Sequence, residues 1–232
     1  MKGVFVTATD TGAGKTLVSC GMIRALRSTG LRVAGMKPVA SGCEETASGL
    51  VSDDARQLAT ASGLGAPMDL VNPYRFLPAI APHIAAAAAG VRVDLARIEA
   101  ASRELSRIAD ALVVEGVGGL RVPLNAQDEV ADLAQRLRLP VILVVGMRLG
   151  CLNHALLTAE ALARRGLPLS GWVANHVDPA MAVPDANVQA LQDRLHAPLI
   201  GRVPFLDSAN PHTVAGCLDL KLLLDALERA GK

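Results

Sequence analysis

Short apolar runs rich in Val, Leu and Ile alternate along the chain with longer stretches in which apolar residues recur every three to four positions. The runs predict strands over 3–7, 32–36, 111–115, 141–146, 170–174 and 199–203. The stretches between them predict helices over 15–28, 53–62, 94–109, 129–137, 153–165, 188–195 and 219–230. Val141-Ile142-Leu143-Val144-Val145 has no polar position, which suits a strand covered on both faces of its sheet. Strand–helix alternation means βαβ crossovers, hence an α/β fold: a doubly wound, mostly parallel sheet of the P-loop NTPase kind with helices on both faces. Two connections are long, 37–53 and 63–94, and long loops in such a fold tend to serve the site or act as lids. With no internal repeat and no Gly/Ser linker, the expectation is one domain over 1–232.

Composition narrows the function classes. Of 232 residues, 51% are hydrophobic and 19% charged, so a sizeable core forms and disorder is excluded for most of the chain. Lys+Arg 23 against Asp+Glu 22 leaves no basic footprint for nucleic acid. Three Phe, one Trp and one Tyr make stacking platforms for single strands implausible. Cys20, Cys43, Cys151 and Cys217 form no CxxC pair and read as free thiols of a reducing compartment. The N-terminal apolar run is too short for a signal peptide, and the Ala-rich stretch 80–89, broken by Pro82, falls short of a membrane span. A soluble, cytoplasmic protein that binds neither membrane nor nucleic acid is expected.

In an open α/β sheet, ligands bind beyond the carboxyl ends of the strands, so the strand list becomes a site list. After the first strand comes Thr9-Asp10-Thr11-Gly12-Ala13-Gly14-Lys15-Thr16, a P-loop in which Thr9 replaces the usual first glycine. Gly12 and Gly14 let successive N–H groups turn inward as an anion nest, and the following helix adds its positive end. Lys15 reaches the β- and γ-phosphates, and the Thr16 hydroxyl can ligate Mg²⁺. This pattern means nucleoside triphosphate binding; it is silent on what the triphosphate is used for.

The other strand ends are less committed. Lys37 ends the second strand and is either a second cation beside Lys15 or a lysine closing a strand. Glu115, ending the third strand before Gly116-Val117-Gly118-Gly119, is placed to bind Mg²⁺ beside a P-loop. Asp53 and Asp54 open a helix, where an acid can serve merely as a cap or first-turn charge. The Gly150-Cys151-Leu152-Asn153 turn offers free N–H groups to a carboxylate, or is capped by Asn153. Asn175 suits the N6/N7 edge of adenine, although Asn after a strand is often a turn former. Pro204-Phe205-Leu206 follows the last strand, where an apolar turn can close over a flat base. The five His show no metal spacing and no Ser-His-Asp arrangement can be argued.

Taken in order, these pieces resemble the dethiobiotin synthetase family across nearly the whole chain. The carriers are Thr9-Asp10-Thr11 before Gly14-Lys15-Thr16, Lys37-Pro38-Val39-Ala40-Ser41-Gly42, Asn72-Pro73-Tyr74 with Pro82-His83, Val114 to Gly119, Leu149 to His154, and Gly171-Trp172-Val173-Ala174-Asn175. The resemblance implies conversion of 7,8-diaminononanoate, CO₂ and ATP into dethiobiotin, ADP and phosphate, through a carbamate and a carbamic-phosphoric anhydride. It implies Lys37 and Lys15 as catalytic cations, and Mg²⁺ on Thr16, Asp54 and Glu115. It implies nucleotide contacts from Thr11, Gly12, Ala13, Gly14, Lys15, Thr16, Leu17, Gly116, Val117 and Gly118, with adenine held by Asn175, His176, Pro204, Phe205 and Leu206. Ser41 is implied to bind the diamine, whose carboxylate lies on Gly150, Cys151, Leu152 and Asn153 across a homodimer interface. Three positions depart from the family pattern: Gly12 where many members carry Glu, His176 where Asp is common, and Asn187 near where some members place a Tyr that contacts the substrate tail. The alternative is a partitioning-type ATPase of the same fold, but such proteins usually carry an extra Lys early in the loop and residues 9–13 contain none. A larger synthetase is less well matched, because the last predicted helix leaves no room for a further domain.

Overall fold

The computed structural model describes residues 1–47, 49–208 and 210–229. In chain order the elements are β1 (Gly3–Ala8), α1 (Lys15–Arg27), β2 (Val33–Met36), β3 (Val39–Ser41), β4 (Glu44–Thr46), β5 (Gly49–Val51), α2 (Asp53–Ser62), α3 (Met68–Val71), β6 (Tyr74–Phe76), α4 (Pro82–Ala88), α5 (Leu95–Ile108), β7 (Ala111–Glu115), α6 (Val130–Leu137), β8 (Val141–Met147), α7 (Cys151–Arg164), β9 (Leu169–His176), α8 (Pro184–Gln192), β10 (Leu199–Val203), α9 (Pro211–Gly216) and α10 (Leu220–Glu228).

Six strands form one sheet in the order β10-β9-β8-β1-β7-β2, every neighbouring pair parallel. β1 lies between β8 and β7, so the loop leaving it opens at the middle of the sheet's carboxyl edge. Alternation along β1 sends Phe5 into one core layer and Val4, Val6 and Ala8 into the other. Helices α1 and α10 cover the second face, where Val18, Met22 and Leu26 meet Leu223 and Leu227. Helices α5 and α6 cover the first face through Ile98, Leu105, Leu133 and Leu137. Trp172 anchors a third cluster, between β8, β9, α7 and α8. Every residue of β8 is buried, as its apolar run requires.

The two long connections carry structure of their own. Residues 37–53 contain β3 and the antiparallel hairpin β4–β5, while 63–94 contains α3, β6 and α4. β6 pairs with β3 in a small parallel sheet, Val39 opposite Tyr74 and Ser41 opposite Phe76. Strands of three residues leave no readable period, which is why the pattern shows only loop there. Helix α8 starts at Pro184 rather than 188, since Pro fits the first helical turn instead of breaking it. Helix α7 starts at Cys151, with Gly150 at the N-cap, so Asn153 lies inside the first turn and does not cap it. Strand β9 runs on to His176, which makes Asn175 and His176 strand residues.

Candidate functional site

Thr9 donates its N–H to the Val144 carbonyl at 3.1 Å, the last tie of the chain to the sheet before the phosphate loop. Gly12 and Gly14 both sit in the left-handed region (φ +79° and +82°), which side-chain-bearing residues rarely adopt. Space forbids a side chain at Gly14 as well: a Cβ there would lie 2.1 Å from Asn175 Nδ2. Gly14 is also the N-cap of α1 and offers no side-chain cap, so the first N–H groups of a thirteen-residue helix are left for an anion. Lys15 opens that helix and is buried.

Three further elements bring their residues to the same place. Register sets Val6 opposite Glu115, so the end of β7 stands beside the root of the loop. Glu115 is fully buried; its Oε1 accepts from Lys37 Nζ at 2.6 Å and from Thr16 Oγ1 at 2.9 Å. Lys37 leaves β2, only 3% exposed, and its Nζ also meets Asp54 Oδ2 at 2.7 Å and the Gly116 carbonyl at 3.3 Å. Asp54 stands in the first turn of α2, whose N-cap Ser52 accepts the Ala55 N–H at 3.3 Å. Lys37 is thus the buried centre of an ion cluster with Glu115 and Asp54.

Burial opposes the Lys37 ammonium, but the Glu115 and Asp54 carboxylates outweigh it and hold its pKa above the ordinary lysine value. Asp54 responds in kind: burial raises it, and the Lys37 charge and hydrogen bonds from Lys37 and Thr16 bring it below the usual carboxylate range. Lys15 has no carboxylate partner so close. Burial, then repulsion from Lys37, lowers its pKa from 10.5 to about 8.

One cavity of about 780 Å³ gathers the loop residues Thr11, Gly12, Gly14, Lys15, Thr16 and Leu17 with Lys37, Ser41, Asp54, Glu115, Val117 and Gly118. Among the described residues, two buried side-chain atoms in it have no hydrogen-bond partner: Ser41 Oγ and Glu115 Oε2. A buried carboxylate oxygen left open beside a hydroxyl and a second carboxylate is a donor set that could hold a hard divalent cation. Among the described residues no three His, Cys, Asp or Glu cluster as a metal cage, so the set is two carboxylates and a threonine. The cavity also takes in Gln57 and the apolar lip Ala79, Ile80, Ala81 and Pro82; the sequence pattern gives none of them a site role, and Pro82 enters it only with the family resemblance. Asn72, which enters the sequence reading only with the family resemblance, has a role there that the pattern did not assign. Its Nδ2 donates to the Lys37 carbonyl at 2.6 Å and the Tyr74 carbonyl at 3.1 Å, so 63–94 braces the strand end that carries Lys37.

The remaining expected residues stand outside that cavity. Asn175 is buried against the back of the loop, donating from Nδ2 to the Ala13 carbonyl at 2.8 Å. His176 ends β9 opposite Met147, its pKa lowered by burial and by Arg202. Pro204, Phe205 and Leu206 follow β10, with Phe205 exposed and Leu206 packed on the α1 side of the core. The Gly150 turn (φ +93°) leaves the first N–H groups of α7 without a side-chain cap, beside Leu149 at 98% exposure. Asn187 lies in α8, its Nδ2 donating to the Val183 carbonyl at 3.1 Å.

A family model described as an AAA domain matches residues 2–213. The ATP-dependent dethiobiotin synthetase BioD of Aromatoleum aromaticum is 53% identical over 93% of this chain and 96% of its own. The chain belongs to the dethiobiotin synthetase family. The synthetase BioD of Pseudomonas aeruginosa (strain UCBPP-PA14) is 52% identical over 96% of this chain and 98% of its own. Among solved structures, a ParA family ATPase from Chlorobium tepidum superposes with a TM-score of 0.57 at 13% identity, covering 98% of this chain and 99% of its own. That likeness is one of fold.

Proposed function

We propose that this cavity is where the chain converts 7,8-diaminononanoate, CO₂ and ATP into dethiobiotin, ADP and phosphate. Membership of the dethiobiotin synthetase family makes the chain an ATP-dependent ligase, and the partitioning-type alternative is not favoured. The observation that carries the site assignment is the convergence of Lys15, Lys37, Glu115, Asp54, Thr16 and Ser41 on one cavity at the carboxyl edge of β1, β2 and β7.

The phosphate loop and the open end of α1 bind the triphosphate. Asn175 and His176, with Pro204, Phe205 and Leu206, hold the adenine. Ser41, whose hydroxyl oxygen is buried without a partner, receives an amine of the diamine. That amine adds to CO₂ and loses a proton, giving a carbamate. The carbamate oxygen attacks the γ-phosphorus and ADP leaves. The second amine attacks the activated carbonyl carbon and expels phosphate, closing the cyclic urea. Two anions have to meet in the middle step, and Lys15 and Lys37 lower that repulsion from inside a low-dielectric cavity. Thr16, Asp54 and Glu115 would hold Mg²⁺, which when bound supplies charge neutralisation on the phosphates. Holding the second amine beside the mixed anhydride favours ring closure over hydrolysis.

The chain acts as one P-loop domain in a cytoplasmic homodimer, with the Gly150–Asn153 turn of one subunit taking the carboxylate of the diamine held by the other. The open N–H groups of α7 and the exposed Leu149 beside them support that reading. The test is incubation of the purified protein with diaminononanoate, bicarbonate, Mg²⁺ and ATP, with dethiobiotin detected by mass. Stoichiometric product and ADP are expected. Lys37→Ala is expected to keep nucleotide binding and lose kcat by about 10²-fold or more. ATP turnover indifferent to the diamine would reject the ligase.

A further inference from the structure

We propose that Asp10 and Arg148 form a strap that locks the phosphate loop to the turn opening α7, so that Arg148 is a positioning residue for both the nucleotide and the substrate carboxylate. Pairing of Ala8 with Val144 lays the ends of β1 and β8 side by side, and the loops leaving them run together. Arg148 meets Asp10 Oδ2 at 2.6 Å and points a nitrogen at the Thr11 carbonyl at 3.5 Å. His154, from the first turn of α7, approaches the same Asp10 oxygen with Nδ1 at 3.4 Å. The other Asp10 oxygen, Oδ1, is buried without a partner. Asp10 therefore depends on the far side of the crevice for its compensation.

An acid two residues before the loop's first left-handed glycine is an electrostatic liability beside a polyphosphate, and a neighbouring guanidinium cancels it. Half-exposed ion pairs add little to stability, so the pair's value lies in geometry. One guanidinium nitrogen, Nη2, faces both the Asp10 carboxylate and the Thr11 carbonyl, and the planar group fixes its direction, which holds loop and turn in one orientation. Arg148 immediately precedes Leu149 and the start of α7, and its carbonyl accepts the Cys151 N–H at 3.0 Å, so the same lock sets where the uncapped Leu152 and Asn153 N–H groups stand.

The nucleotide arm of the test needs no diamine: the Kd of Mg-ADP is measured by titration calorimetry for the wild-type protein, Arg148→Ala, Asp10→Asn and the double variant. Arg148→Ala is expected to weaken ADP by about five- to tenfold, and the double variant to be no weaker than Arg148→Ala, because coupled residues lose one shared interaction. Arg148→Lys, which keeps the charge and loses the planar guanidinium, is expected to recover only a small part of the affinity. Unchanged ADP affinity in Arg148→Ala, or losses that multiply in the double variant, would overturn the strap. The second arm rests on the ligase reading: Arg148→Ala should raise the KM for diaminononanoate about tenfold, with kcat within twofold, because it removes binding shared by ground and transition states. A KM that stays put while ADP affinity falls would remove the turn from the proposal. Absence of diamine turnover in the wild type would reject the ligase reading, and the ADP arm would still decide the strap.

Discussion

Lys15 and Lys37 bring the same ammonium into the same cavity, and their neighbours treat the two in opposite ways. Lys37 sits between two carboxylates and keeps its charge; Lys15 is buried, faces Lys37, and is brought down to about 8. The sign of the consequence follows directly. In the free protein Lys15 carries its ammonium below about pH 8 and loses it above. A bound polyphosphate favours the ammonium, so nucleotide affinity should be full below that pH and fall as pH rises through it, by up to about tenfold per unit. Titrating a fluorescent ADP analogue between pH 7 and pH 9.5 reads this, and a flat Kd would mean that Lys15 stays charged throughout. At this scale the residue types of the phosphate loop were legible because Gly12, Gly14, Lys15 and Thr16 are contiguous and each has a local conformational or chemical reason. The role of Asn72 was not legible, since its hydrogen bond to the Lys37 carbonyl spans 35 residues; the sequence offers Asn72-Pro73-Tyr74 only as part of the family resemblance.

Elements explain why the acid at position 54 can serve the site at all. Helix α2 begins at Asp53 because Ser52 caps it, and that start turns Asp54 toward Lys37 and Thr16. Removing the cap with Ser52→Ala should cost about 1 kcal/mol. For a chain of this size that corresponds to a Tm lower by roughly 2–4 °C. Because the first turn carries Asp54, the Mg²⁺ concentration giving half-maximal activity should rise in the same variant. A lowered Tm with an unaltered Mg²⁺ dependence would detach the cap from the metal residues. The pattern gave away α2, β7 and β10 to the residue, because their periodicity and punctuation agree. It missed β3, β6 and the hairpin, whose three-residue strands are held by pairing with distant chain and not by any period of their own.

For the whole molecule, the open question lies at α7. Leu149 is 98% exposed and Leu157 55% exposed, on the side of the molecule that carries the uncapped turn. Single exposed apolar residues are ordinary, but one just before α7 and one within it fit a seam between subunits. Sedimentation velocity should give twice the 24.0 kDa of the chain. Leu157→Glu should shift that species to monomer and raise the KM for the diamine while leaving ADP affinity unaltered. A wild-type monomer at assay concentration would remove the shared site. Among the described residues no helix is long and apolar enough to cross a membrane.

What the sequence by itself determined was local: a strand–loop–helix with an anion nest, the acids and lysines that end or begin elements, and the alternation that requires a parallel sheet. Those features are written in neighbouring residues, where backbone sterics and side-chain chemistry act without the rest of the chain. Only the tertiary structure decided which strand ends meet. Lys37 and Glu115 are 78 residues apart, Thr16 and Glu115 are 99, and Arg148 and Thr11 are 137. Sheet order and register set those distances. A composition or a period says that strands will pair, but the relative positions of their ends come from the packing of both core layers at once.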